Sequence, residues 1–314
     1  MRFSRVALLV VVSSCALLGA AGGTTAATKG LTVMITETCD QTDLANAIQA
    51  QPGISKVLIY EVTDATPLPS DFAKADIVVG TGGQCDTGYE DAATYGDRLA
   101  DYVDHGGAVL ETAYDNWEGS GAAVVHPTGR FASGHYAPLT LGPNDNIATA
   151  LGTVLKPKSA IVQGLGTFTT NDNTTTPLAQ GATLLAKWAD GRNAIAMKGH
   201  VVATSASTND DPSIPAVARL ARNTAVYFNV VPGTKITKAT VRGSSAAFTF
   251  KALGPSTGFL CGLTKVGNKG RLRACPSHKK YRNLKPGKYT FAVAAFGPAG
   301  VDRTPAKKSF TIAG

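Results

Sequence analysis

Apolar residues fall in short runs along the first two thirds of the chain. Residues 31–36 (LTVMIT), 56–62 (KVLIYEV), 76–80 (DIVVG) and 108–112 (AVLET) each read as a buried strand. Between them the period changes. Leu44, Ala47 and Ile48 recur at helical spacing within 43–51, and Pro52-Gly53 closes that segment. Tyr95, Leu99, Tyr102 and Val103 share one helical face, with Asp97, Asp101 and Asp104 turned to water. Glu90 and Asp91 precede this helix, where its dipole favours negative charge, and His105 and Gly106-Gly107 end it, glycine accepting the left-handed turn. Strands alternating with helices predict a parallel sheet covered on both faces. Residues 183–188, 193–198 and 200–205 read as three more strands, the first two a hairpin joined at Asp190-Gly191 and the third returning to the sheet. A helix over 214–228 closes the domain, started by Asp211-Pro212, with Val217, Leu220, Ala221, Thr224 and Phe228 inward. Residues 119–176, rich in Gly, Thr, Asn and Pro, predict long excursions with short elements near the sheet's edge, and 171–176 (NDNTTT) an exposed loop.

After 230–234 (VVPGT) the period becomes two. Residues 246–251, 258–264, 288–296 and 308–312 alternate, and no helical pattern follows. Short strands with Gly and Pro turns predict a small β-sandwich. The N-terminus differs from both: Arg2 and Arg5, an apolar run over 6–18, then small residues before Ala26 and Ala27. That is the pattern of a secretory signal peptide, which gives three segments: 1–27 signal, 28–232 α/β domain, 233–314 β-sandwich. The run is short for a bilayer span, and no other segment is long and apolar enough for one, so the mature chain is expected to have no transmembrane span. A lipoprotein box at Val12-Ser13-Ser14-Cys15 sits close to the N-terminus for that role, with apolar residues continuing beyond it.

Charge sharpens the division. Residues 233–314 hold sixteen Lys and Arg against one acid, Asp302, and residues 28–232 hold twelve against twenty-one acids. An acidic domain therefore precedes a strongly basic one, which bears on partners and solubility. Lys265, Lys269, Arg271, Arg273, Lys279, Lys280, Arg282, Lys285 and Lys288 form the densest basic stretch. In an exported chain without a nucleic-acid recognition motif they suit teichoic acid, anionic polysaccharide or anionic headgroups, or else a solubilising surface. Without Cys15 four cysteines remain, an even number that suggests disulfides, with three pairings open.

Two resemblances narrow these expectations. Phe259-x-Cys261-x-Leu263, Cys275, Tyr281, Leu284, Gly287, Tyr289-x-Phe291-x-Val293-x-Ala295, Gly300, Asp302 and Pro305-Ala306 resemble an immunoglobulin- or fibronectin type III-like module of exported actinobacterial proteins. The resemblance implies a Cys261–Cys275 disulfide; this chain is far more basic than the pattern. In the first domain, DIVVG (76–80), YGDRLADYVDHGGAVLET (95–112), GATLLAKW (181–188) and GHVVATSA (199–206) resemble the class I glutamine amidotransferase-like superfamily, in its flavodoxin-like, trehalose-utilisation-like branch. That implies an open parallel sheet with helices on both faces and any ligand beyond the strands' carboxyl ends. It also implies that Cys39 and Cys85, following neighbouring strands, form a disulfide.

The family's nucleophilic Cys would follow strand 108–112. Here the place reads Leu110-Glu111-Thr112-Ala113-Tyr114, with neither Cys nor Ser, and His200 lacks the family's His-x-Glu pattern. Thr112, Asp115 and Glu111 are the remaining catalytic candidates, with Cys85 a further thiol one loop earlier. Asp86, Glu90, Asp115 and Glu118 with His126 and His135 have the chemistry for a divalent ion but no ligand spacing, so a solvated acidic rim is the simpler reading. Trp117 and Tyr136 suit either a stacked sugar or loop anchoring. No cofactor is expected. The sequence thus predicts an exported cell-surface protein, non-catalytic, binding envelope polymers through its basic module. The alternative is a hydrolase of sugar or amide bonds using the acidic strand-end rim.

Overall fold

The computed structural model describes residues 30–82, 87–119, 123–144, 147–209, 212–266, 268 and 270–314. The proposed signal peptide, Cys15, Cys85, Asp86 and Lys269 lie outside the described residues. The chain divides into two compact units, Met1–Ala225 and Val226–Gly314. Among the described residues no helix is long and apolar enough to cross a membrane.

The first unit runs β1 (Leu31–Glu37), α1 (Thr42–Gln49), β2 (Ile54–Glu61), α2 (Pro69–Phe72), β3 (Ile77–Thr81), α3 (Ala92–Asp104), β4 (Ala108–Glu111), α4 (Gly129–Ser133), β5 (Thr149–Val154), β6 (Thr169–Thr170), β7 (Thr183–Trp188), β8 (Asn193–Lys198), β9 (Val201–Thr204) and α5 (Ile214–Asn229). One nine-stranded sheet has the order β2-β1-β3-β4-β9-β8-β7-β5-β6. Its first five strands are parallel. The expected open parallel sheet is corrected to a mixed one: the hairpin read at Asp190-Gly191 is there, and β8, β7, β5 and β6 all run antiparallel to their neighbours. Short turns force this: Gly191 and Gly199, both at positive φ, reverse the chain between β7 and β8 and between β8 and β9. A reversal that tight can join only antiparallel strands.

Helices cover both faces of the parallel part. From β1 the chain steps outward to β2 and then back past β1 to β3 and β4, so right-handed connections place α1 opposite α2 and α3. Met34, Val78, Val109 and Val201 lie side by side in register and pack with Phe72, Tyr95, Leu99 and Phe131. The intervening Ile35, Val79, Leu110 and Val202 are equally buried. On that side Arg222 of α5 donates to the Pro52 carbonyl just after α1 (3.2 Å). Asp91 caps α3 by accepting from the Thr94 amide (2.9 Å).

The 119–176 stretch does hold short elements, with β5 and β6 at the sheet's edge and α4 against α3. The exposed loop expected at 171–176 is corrected: Asn173, Thr174 and Thr176 are buried. Thr174 N donates to the Ser205 carbonyl (3.1 Å) and Asn173 pairs with the Ile147 carbonyl and Arg192, while the Thr176 hydroxyl finds no partner among the described residues.

The second unit is all-β: β10 (Gly233–Arg242), β11 (Ser245–Leu253), β12 (Gly258–Lys265), β13 (Arg273–Cys275), β14 (His278–Tyr281), β15 (Gly287–Gly297), β16 (Gly300–Val301) and β17 (Ala306–Ile312). One sheet has the order β10-β11-β14; the other has β13-β12-β15-β16, with β17 also on β15. Phe248 and Phe250 of the first meet Cys261, Phe291 and Val293 of the second in a common core, with Phe248 stacked on Phe291 at 4.0 Å. The Cys261–Cys275 disulfide is present and joins β12 to β13.

Candidate functional site

The register across the parallel strands creates the site. Two residues beyond the apolar row of Met34 and Val109, the same face carries Thr36, Gly80, Glu111, Ala203 and Ala196 on five neighbouring strands. Glu111 is thus a carboxyl group on a covered sheet face, and its neighbours to either side are small. The Gly80 side-chain position is filled from elsewhere: a Cβ there would lie 2.0 Å from Asp115 Oδ2. Side chains directly across two strands are about 5 Å apart. Asp115, on the 3-10 turn Ala113–Asn116 after β4, therefore lies beside Glu111.

Both groups are buried, at 2% and 3% exposure. Asp115 Oδ1 accepts from the Tyr89 hydroxyl (2.7 Å) and the Gly82 amide (3.1 Å). Among the described residues, Asp115 Oδ2, Glu111 Oε2 and Asn116 Oδ1 have no hydrogen-bond partner. Burial raises the Asp115 carboxyl to about 6, opposed by the bonds from Tyr89, Gly82 and Thr112. Burial, aided by the Asp115 charge, raises Glu111 well above the carboxylate range. Both shifts favour the protonated form, that of Glu111 the more strongly. Carboxyl groups whose environments push their proton affinities apart can serve one site as acid and base.

Glu111, Asp115 and Asn116 line a cavity of about 450 Å³ with Phe131, Ala137, Leu139, Gln180, His126, His135 and Lys198. That is the size of a small-molecule site. Its apolar walls come from α4 and the segment after it, whose Leu139 packs against Ala196 and Ala203 of the sheet. His126 donates from Nδ1 to the Trp117 carbonyl (3.1 Å), and burial pulls its basicity down, which leaves a neutral ring.

The predicted residues fare unequally. Asp115, His126 and His135 do line one cavity, but Glu90 is exposed and bonded to Thr66 (2.8 Å), and Glu118 is exposed. Among the described residues no three His, Cys, Asp or Glu form a metal-holding group. The Thr112 hydroxyl is buried and donates to the Gly80 carbonyl (2.9 Å). Trp117 is buried against Ala113 and Val125, and Tyr136 stacks on Phe131 and bonds Asp104, so both fix loops. His105 caps α3, and His200 turns to the Gly106 carbonyl (3.1 Å). Cys39 is disulfide-bonded; its expected partner Cys85 lies outside the described residues. Beyond the residues predicted, the structure adds Tyr89, Gly80, Asn116 and Lys198. Gly80 carried a signal, since a glycine inside an apolar strand marks a close approach.

The basic stretch does not form one stripe. Lys265 and Lys288 stand at the paired ends of β12 and β15, with Lys285 close by in sequence, while Lys279 and Lys280 lie on β14 in the other sheet. Arg271, Arg273, Arg282 and Lys285 are exposed, and Lys279 leans on the Tyr281 ring at 5.8 Å.

No protein-family model matches the chain, and no curated protein matches it. Among solved structures, a cytoplasmic protein of Salmonella typhimurium is similar at 12% identity and a TM-score of 0.48, covering 63% of this chain and 98% of its own. A ThuA-like protein from Bacteroides uniformis is similar at 8% identity and a TM-score of 0.45, covering 65% of this chain and 95% of its own. Over the second unit, an FN3tt structure is similar at 14% identity and a TM-score of 0.23, covering 27% of this chain and 97% of its own.

Proposed function

We propose that the chain is an exported surface protein whose α/β unit, a degenerate amidotransferase-like domain of flavodoxin-like type, hydrolyses a polyhydroxyl compound. The immunoglobulin-like basic unit holds it against anionic envelope polymers. One observation carries the catalytic part: two adjacent buried carboxyl groups, both raised by burial and Glu111 the more, line a cavity of ligand size. In this reading Glu111 holds the proton at neutral pH and Asp115 is ionised. Asp115 takes a proton from water as its oxygen attacks the carbon of a glycosidic or amide bond, and Glu111 gives its proton to the departing oxygen or nitrogen. Water is consumed, and the two residues exchange protonation states. General acid and base groups of this kind each contribute roughly 10²–10⁴ in rate.

The test is turnover of a panel of nitrophenyl glycosides and acyl amides by the full chain, its Glu111→Gln variant and its Asp115→Asn variant. Each substitution should lower turnover by about 100-fold or more while the fold is kept. Turnover unchanged in both variants contradicts the proposal. A second reading, non-catalytic binding in the same cavity, is favoured by the occupied Thr112 hydroxyl and the lack of a Cys or Ser after β4. It predicts ligand binding without turnover.

A further inference from the structure

The cavity has a second pole. Lys198 ends β8, pairs with Val201 of β9, and Val201 pairs with Val109 of β4. Lys198 therefore lies on the same sheet face as Glu111, two strands across and two residues back. At strand and residue spacings of about 4.8 and 3.3 Å the backbones are about 12 Å apart, and both side chains line the one cavity of about 450 Å³. Leu139, which packs on Ala196 and Ala203 of this face, lines the cavity together with Glu111 and Lys198.

Lys198 is set for a ligand. Its Nζ donates to the His135 carbonyl (2.6 Å), and no carboxylate pairs with it among the described residues. His135 adopts φ 54°, in the left-handed region that side chains avoid, and its carbonyl is the group that holds the lysine. Backbone strain of this sort persists where surrounding structure enforces it and gathers at ligand sites. A lysine ammonium is a point charge suited to carboxylate or phosphate.

We propose that the cavity takes an anionic polyol: a monosaccharide-sized compound with its hydroxyls toward Glu111 and Asp115 and one carboxylate or phosphate toward Lys198. This rests on the cavity being the functional site, as proposed above. The experiment is calorimetric titration of the full chain with glucose, glucuronate, glucose 6-phosphate and inorganic phosphate. At least one of the two anionic sugars should bind about 10-fold or more tighter than glucose, and whichever does identifies the anion. Lys198→Met should bring that ratio close to one, and Lys198→Arg should keep it. Glucose binding as tightly as both anionic sugars, inorganic phosphate binding as tightly as they do, or a ratio unchanged in Lys198→Met overturns the inference while leaving the cavity as a polyol site. Failure of every sugar to bind removes the cavity reading as well.

Discussion

Asp115 is held in place by what its neighbours lack. Gly80 leaves the space for its carboxyl, and Gly82 leaves space for the Tyr89 hydroxyl that a Cβ would meet at 2.2 Å. Gly80→Ala should expel the carboxyl, lower stability by about 1–3 kcal/mol through overpacking, and abolish turnover; chemical denaturation and the glycoside assay check this. Tyr89→Phe removes a donor that favours the ionised form, so the acid limb of the pH–rate profile should move to higher pH. The raised Asp115 value also bears on stability. A carboxyl shifted from 3.8 to about 6 binds its proton more tightly when folded. Its contribution is full below about 4 and is lost as pH rises through about 6, a loss on the order of 3 kcal/mol. Asp115→Asn should therefore be more stable than the parent at pH 7.5 and not at pH 3.5, as read by denaturant midpoints. Glu37, raised to about 7 chiefly by burial, should leave a residual slope in the same direction. On the proposed function the site gives up stability for chemistry, as functional groups commonly do.

Elements were legible where local pattern decides them. The strands at 183–188 and 193–198 and the helix start at Ile214 agree with sequence periodicity to the residue. Asp91 and Gly106 bound α3 for the capping reasons that sequence supplies. The parallel expectation holds from β2 to β9 and the hairpin at Asp190-Gly191 was legible; the reversal from β8 to β9 was not, because the Gly199 turn carries no distinctive dipeptide. The 171–176 loop was misjudged because polarity indicates exposure only when side chains seek water; here they satisfy buried backbone. The site was half legible. Glu111 and Asp115 stand out as acids at the end of an apolar run, but their adjacency depends on Gly80, which reaches them only through register with β3. In the second unit Cys261–Cys275 closes a 14-residue separation. Replacing both with Ser should lower that unit's stability by about 3 kcal/mol, measured by urea unfolding.

The charge division belongs to the whole chain. Asp302, the single acid after residue 233, is engaged by Thr304 through its amide (2.8 Å) and hydroxyl (2.9 Å). Under the proposed function the sixteen basic residues there meet anionic polymers outside the chain. Co-sedimentation of the full chain with teichoic acid or anionic polysaccharide should be strong at low salt and lost toward about 1 M, where screening reaches a few ångströms. Binding insensitive to salt would contradict the electrostatic account. The central claim, however, is the divided protonation of Glu111 and Asp115, and infrared spectroscopy of the full chain reads it directly. The spectrum of the parent minus that of Glu111→Gln at pH 7 should show the carbonyl stretch of a protonated carboxylic acid, while the corresponding Asp115→Asn difference shows a carboxylate. A carboxylate signal from Glu111 at pH 7 would contradict the account.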